Sequence, residues 1–280
     1  MSSFIPARTR QPISALCVIV GALTGARPLF AQETIPWPPA NLLTVRVSAI
    51  TEPIAGDTFR VTYTLYNSPS SQQKAELFFV RTDAKPLGWI ATPGMRMGWL
   101  RPHVGQVADS LGVTWFAAGH RADVIPGDSA APFAYTAVGE ITVVRYYVQG
   151  WIEPPVSDDS STIVGLRPSF WEDNYKGWTI GVMPAADLKP ASMAARLVVA
   201  TITACQEDVR FVRDPAICRD PNSRPRLAMQ AAHDGKVPLA CAHLRGLITD
   251  IEAMADTSIK PEGRALLTTR TQQFLRRHCG

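Results

Sequence analysis

Four cysteines stand in the last third of this 280-residue chain, at Cys205, Cys218, Cys241 and Cys279. Thiols in fours either cross-link or hold a metal. A metal would need nitrogen partners, and Cys241-Ala242-His243 with His278-Cys279 supplies two sulfurs and two nitrogens. Two features count against it. There is no Cys-x-x-Cys knuckle, and His278 and Cys279 are adjacent, so on a helix their side chains diverge by about 100°. Cross-linking is the better reading, with three possible pairings. No metal and no cofactor is expected.

Disulfides persist in oxidising compartments, and the N-terminus reads as the matching address. Arg8 and Arg10 precede an apolar run, Ile13–Ala26, and Leu29-Phe30-Ala31 offers a small residue before a cut. That is the layout of a secretory signal peptide cleaved after Ala31, which would remove Cys17. The apolar run of 14 residues is short of the roughly 20 that a spanning helix needs. Leu16 before Cys17 does not suit a lipoprotein signal, and Thr9 separates the two arginines that the twin-arginine route wants adjacent. No later segment is apolar enough to span a bilayer. The expected location is secreted, periplasmic or at the cell surface.

Charge excludes one class of partner. The chain holds 28 Lys and Arg against 24 Asp and Glu, and Arg8, Arg10 and Arg27 would leave with the leader, so the mature charge is +1. A near-neutral chain carries no electrostatic argument for nucleic acid. No Asn-x-Ser/Thr acceptor occurs, since Asn67-Ser68-Pro69 does not qualify.

Catalytic patterns are wanting. Gly-x-Ser-x-Gly elbows, His-Glu-x-x-His helices, phosphate-cradling glycine loops and calcium-loop spacings are all missing from the sequence. His120 lies between Asp109 and Asp123, with Ser110 and Ser129 nearby, and a nucleophile–His–Asp arrangement could be assembled from them. Nothing in the spacing fixes that geometry. Acidic neighbours such as Asp158-Asp159 and Glu207-Asp208 suit a solvated surface better than a glycosidase pair. Aromatics are the better lead. In Trp115-Phe116 and Tyr146-Tyr147 the paired rings must point to opposite faces of a strand. Trp115 and Tyr146 are then either stacking platforms for a glycan or peptide, or parts of a core.

The elements that would position these residues change character along the chain. Residues 32–41 are a proline-rich lead-in. Over residues 42–150 the texture is β: Phe59, Val61, Tyr63 and Leu65 alternate with Arg60, Thr62, Thr64 and Tyr66, a period of two with one apolar face. Further strands are expected at Ala75–Arg81, Gly88–Ala91, Met95–Leu100, Gly112–Ala117, Phe133–Ala137 and Ile141–Gln149, which together predict an antiparallel sandwich. Residues 151–189 read as a linker, with Trp178–Val182 as a strand or an extended segment on a neighbouring surface. From Pro190 the period becomes helical, with starts at Pro190, Asn222 or Ser223, Pro238 and Pro261. Short joints between these helices predict an antiparallel bundle over residues 190–280.

The C-terminal texture resembles the small helical module known as FIMAH, found at the ends of many secreted bacterial proteins. The match lies in Leu227–Ala231, Gly235, Ala240–Leu244, Ile248–Ile251, Glu262–Leu267 and Phe274-Leu275. The upstream part resembles the β-sandwich segments that accompany this module, through Tyr63–Ser68 and Tyr146–Trp151. The joint Ala255–Lys260 lacks the module's usual glycine. The resemblance implies an exported accessory architecture and carries no catalytic residue.

Antiparallel third and fourth helices would bring Cys241 beside Cys279, leaving Cys205 and Cys218 around the loop after the first helix. The expected fold is therefore α+β, an antiparallel immunoglobulin-like β-sandwich followed by a small disulfide-clamped helical bundle. The expected function is a non-enzymatic binding or structural module of the cell envelope, with an envelope polysaccharide or protein as partner. The alternative is a secreted hydrolase of envelope or environmental polymers using His120. Protein recovered from an exporting host, unreduced, should have an intact mass that begins at Gln32 or Glu33 and lies about 4 Da below the four-thiol value. A full-length mass with free thiols would overturn both the export reading and the clamp.

Overall fold

A computed structural model describes residues 33–37, 39–89, 99, 103–107, 110–119, 123–153, 161–164 and 173–280. Ala31, where cleavage is expected, His120 and most of the expected Met95–Leu100 strand lie outside them. The strands are β1 (Glu33–Pro36), β2 (Val45–Ala55), β3 (Thr58–Asn67), β4 (Ala75–Arg81), β5 (Pro86–Trp89), β6 (His103–Val107), β7 (Ser110–Phe116), β8 (Ser129–Val138), β9 (Glu140–Gly150), β10 (Ser161–Val164) and β11 (Tyr175–Met183). Burial on β3 follows the expected alternation without a break, with Phe59, Val61, Tyr63, Leu65 and Asn67 turned inward.

Two antiparallel sheets face each other, one ordered β2-β3-β8-β5 and the other β11-β9-β4-β7-β6, while β1 and β10 form a separate parallel pair. This is the ABED/GFCC′C″ layout of an immunoglobulin-like sandwich, with two departures: the outermost strand β6 precedes its neighbour β7 in the chain, and the D strand comes early. The D position is filled by β5, which comes before the two outer strands β6 and β7 in the chain rather than after them. The stretch expected as a linker contributes the G strand: β11 pairs antiparallel with β9, placing Gly177 opposite Tyr146 and Trp178 opposite Arg145.

Between the sheets lies an aromatic core. Tyr63, Phe78, Trp115 and Phe133 meet edge-on or stacked with ring centroids 5.3 to 6.1 Å apart. Trp115 is 0% exposed, which corrects its reading as a stacking platform, because its ring is stacked on Phe78 and met by Tyr63 and Phe133 inside the core. Phe116 is the outward member of that pair.

An edge strand leaves one row of backbone groups unpaired, and on β11 two tyrosines of the opposite sheet and Thr82, just after β4, supply partners. The Tyr63 hydroxyl donates to the Ile180 carbonyl at 2.9 Å, the Val182 amide donates to the Tyr135 hydroxyl at 2.9 Å, and the Thr82 hydroxyl donates to the Val182 carbonyl at 2.5 Å. Burial pushes the Tyr63 phenol well above its ordinary range and raises that of Tyr135, so both stay neutral, Tyr63 donating and Tyr135 accepting at this edge.

Five helices follow: α1 (Pro190–Cys205), α2 (Pro215–Cys218), α3 (Arg224–His233), α4 (Val237–Ala253) and α5 (Pro261–His278). Each carries proline in its first two positions, where the missing N–H costs nothing. Only the one-turn α2 was not expected. Disulfides join Cys205 to Cys218 and Cys241 to Cys279, so neither member of the Cys241/Cys279 pair is a thiolate available to a metal. No helix among the described residues is long and apolar enough to cross a membrane.

α5 lies along the open side of the sandwich, where it meets β2, β9 and β11. Its attachment is ionic and buried. Glu140, at the start of β9, takes a bidentate guanidinium from Arg196 of α1 and a second from Arg270 of α5 at 3.0 Å. Arg270 also donates to the Ile141 carbonyl at 2.5 Å, and its side chain is 9% exposed. Farther along α5, Gln273 and Arg277 hold Asp57 on the β2–β3 turn. Glu140→Gln should cost about 3–5 kcal/mol in urea unfolding, because it leaves the buried Arg270 charge without its counter-ion. Arg196→Met should cost clearly less, since Arg196 is 26% exposed and Glu140 keeps Arg270. Equal losses would mean that the pair to Arg270 is not the dominant contact.

Candidate functional site

Tyr146 and Gly177 are where the sandwich opens toward the helices. A Cβ at Gly177 would lie 2.5 Å from the Tyr146 hydroxyl, so only glycine lets the ring lie across β11. From there Tyr146 donates to the Val45 carbonyl of β2 at 3.3 Å, bridging the two sheet edges. It is 4% exposed, and burial drives its phenol pKa far up, so Tyr146 is a neutral floor residue rather than a free platform.

The neighbouring residue points the other way. Trp178 carries the Arg145 guanidinium 3.5 Å from its ring centroid, and its indole N–H donates to Asp208 of the α1–α2 loop at 2.8 Å. Trp178 is half-buried. It is the aromatic of this region that is held rigidly at the surface, by a cation on one face and a carboxylate at its edge.

Beside it the helical unit closes over the two strand edges. Phe211 and Lys260 are tied by a backbone hydrogen bond of 2.8 Å, and a Cβ at Gly263 would lie 2.5 Å from the Phe211 carbonyl, so the start of α5 sits hard against the loop. The result is a groove of about 640 Å³ with β2 and β11 as its floor and the 208–211 loop and Lys260–Glu262 as its far wall.

Three cations reach it from distant parts of the chain: Arg46 on β2, Lys176 on β11 and Lys260 before α5. Lys260 sits with its ammonium 5.9 Å from the Phe211 ring centroid. Partial desolvation lowers its pKa; Glu262 opposes that shift, while Arg213, Arg210 and Arg46 add repulsion. A cation held at such cost gains from an incoming anion. The groove's two carboxylates are engaged, Asp208 with Trp178 and Glu262 with the Ala49 amide at 3.3 Å.

A second hollow of about 630 Å³ lies among α2, α3 and α4. Its charged groups are already used: Asp214 and Asp220 cap local turns, and Arg224 pairs with Asp250 at 2.5 Å. The groove is therefore the stronger candidate. Of the aromatics singled out in the sequence, Trp115 is remote from it in the core and Tyr146 forms its floor. Its chemistry rests on Trp178 and on cations 84 to 214 positions apart in sequence, a scatter that no local spacing reveals.

No protein family matches this chain, and no curated protein does. Among solved structures, it is similar to an uncharacterized protein from Nocardia farcinica described as having an immunoglobulin-like fold, with 16% identity over 50% of this chain and 98% of that one and a TM-score of 0.30. A likeness of that score carries no weight; the sandwich is read from strand order and register.

Glu262 gives the site a measurable pH signature. It is 6% exposed, and burial raises its pKa, with its own backbone amide, the Ala49 amide, Lys260 and Arg46 pulling the other way. The folded state thus binds the Glu262 proton more tightly than the unfolded chain does. The associated stability is present below the ordinary glutamate range, near pH ~4.3, and is lost as pH rises through the raised value. Unfolding free energies of wild type and Glu262→Gln, measured from pH 4 to 8, should diverge in favour of the variant across that window. A constant difference would show that the carboxyl is not desolvated.

Proposed function

We propose that this chain is an exported, non-enzymatic binding module of the cell envelope, and that the groove between the sandwich edge and the helices is its seat for an anionic polymer. One observation carries the reading. Arg46, Lys176 and Lys260 converge on a single groove beside an immobilised tryptophan, while the carboxylates there are occupied by protein donors. Charge distribution supports it. Residues 190–280 hold 13 Lys and Arg against 9 Asp and Glu, whereas residues 32–189 hold 12 against 15, so a near-neutral total hides a basic helical unit.

The signal-type N-terminus and the two disulfides support the exported location. In this reading residues 190–280 are a FIMAH-like unit, and the immunoglobulin-like sandwich ends with β11 rather than β9. Hydrolysis by His120 gains no support, since that residue lies outside the described ones.

Retention on immobilised polygalacturonate or poly-glutamate, against neutral dextran, tests the proposal. Binding should fall with salt and weaken at least about tenfold in Lys260→Ala/Arg46→Ala. Absence of binding to both polymers at low salt, or binding indifferent to the double substitution, would overturn it.

A further inference from the structure

The two strands that floor the groove are both sheet edges, and their free backbone groups face into it. In an antiparallel ladder the N–H and C=O of one residue point to the same side, and the side alternates along the strand. On β2 the Ala49 amide points outward to Glu262 and the Val45 carbonyl outward to Tyr146. Val47, midway between them, therefore turns both its N–H and its C=O away from β3. On β11 the Ile180 carbonyl and the Val182 amide point outward to Tyr63 and Tyr135. By the same alternation Trp178 turns its backbone groups outward. Val47 and the Trp178 backbone have no hydrogen-bond partner at that edge among the described residues.

Farther along, both edges have company: Tyr63, Tyr135 and Thr82 bond the far half of β11, Glu262 bonds the Ala49 amide of β2, and α5 runs along β2 beyond it with Thr269 on the Thr51 hydroxyl. The opening is the stretch that faces the three cations. A saccharide would not need a donor and an acceptor at strand spacing, whereas an extended polypeptide does. We propose that the groove is a strand-docking site, in which a short extended acidic polypeptide segment pairs with the Val47 edge of β2 and sets its carboxylates toward Lys260 and Arg46. This rests on the reading of the groove as an anionic-ligand seat and names the ligand class. The open stretch is short, because Tyr146 already holds the Val45 carbonyl, so the ligand pairs with the N–H and C=O of Val47. Glu262 on the Ala49 amide stops it at that end.

The test uses the mature chain and a fluorescent, acetylated hexapeptide of alternating valine and glutamate. Two N-methylated versions accompany it, one methylated on every valine amide and one on every glutamate amide, together with an alternating valine–lysine peptide and tetragalacturonate. Pairing to a single edge uses the amides of alternate residues only. One N-methylated register should therefore bind at least about tenfold more weakly than the parent. The other register should bind within a few-fold of it, the lysine peptide should not bind, and Lys260→Ala should weaken the parent. Amide hydrogen exchange at Val47 should slow on binding.

Equal affinity of both N-methylated registers, with the parent still lost in Lys260→Ala, would overturn strand pairing and leave the anionic seat intact. Binding of tetragalacturonate without the glutamate peptide would assign the groove to polysaccharide and overturn the proposal. Failure of every anionic probe would overturn both readings together.

Discussion

A carboxylate removed from water must be answered by charge and by hydrogen bonds together, and Glu140 is answered twice. Its side chain, 5% exposed, receives Arg196 from the first helix and Arg270 from the last. Each guanidinium goes on to a carbonyl, Arg196 to that of Asp187 and Arg270 to that of Ile141, so the cluster leaves little of its polarity unpaired. Such clusters add little net stability compared with apolar packing, but they tolerate one geometry and penalise others. Glu140 therefore sets where α1 and α5 stand on the sandwich. With Arg270 placed, the two ends of α5 follow: Gln273 and Arg277 reach Asp57, and Glu262 reaches the β2 edge.

That placement manages the exposed edges of an open sandwich. An immunoglobulin-like layout ends each sheet in an unpaired strand, a hazard for uncontrolled association. Here the two edges on one side, β2 and β11, are brought together and covered by side chains: tyrosine hydroxyls across the core for β11, and a glutamate and a threonine from α5 for β2. Around Val47 and Trp178 the backbone groups stay open among the described residues, and there the groove brings Arg46, Lys176 and Lys260 beside them. An edge left open where charge selects the visitor differs from one left open by default.

Strand and helix periods were legible because each rests on local burial. The alternation on β3 and the proline-led helix starts stand where the residue pattern puts them, give or take a residue or two. The cysteine pairing was legible too, because antiparallel helices with short joints leave little choice. The 151–189 stretch was harder. Gly177 and Gly181 weaken the strand signal of β11, yet both are needed, one for the ring of Tyr146 and one for close approach to Val144 and the Tyr135 hydroxyl. The orientation of Trp115 is decided by which face of β7 meets the second sheet, and an aromatic on both faces conceals that. The groove was out of reach of the sequence, since Arg46, Trp178, Asp208 and Lys260 share a place only through contacts between distant parts of the chain, those of Glu140, Asp57 and Glu262 among them.

The disulfides now acquire a purpose beyond adding stability to an alanine-rich bundle. Cys205–Cys218 closes the segment that carries Asp208 and Phe211, which is one wall of the groove. Within that loop the Phe211 and Val212 amides donate back to the Ala204 carbonyl, and Arg210 adopts a positive φ of 50°, a tight reversal with little helix around it. Cys241–Cys279 ties the end of α5 to α4, so the helix whose start forms the other part of the wall is held at both ends. A cross-link of this kind removes about 2–4 kcal/mol of unfolded-state freedom. Its larger consequence here is that the wall is ordered before any ligand arrives, and a binding surface that need not be ordered on binding keeps more of its contact energy as affinity.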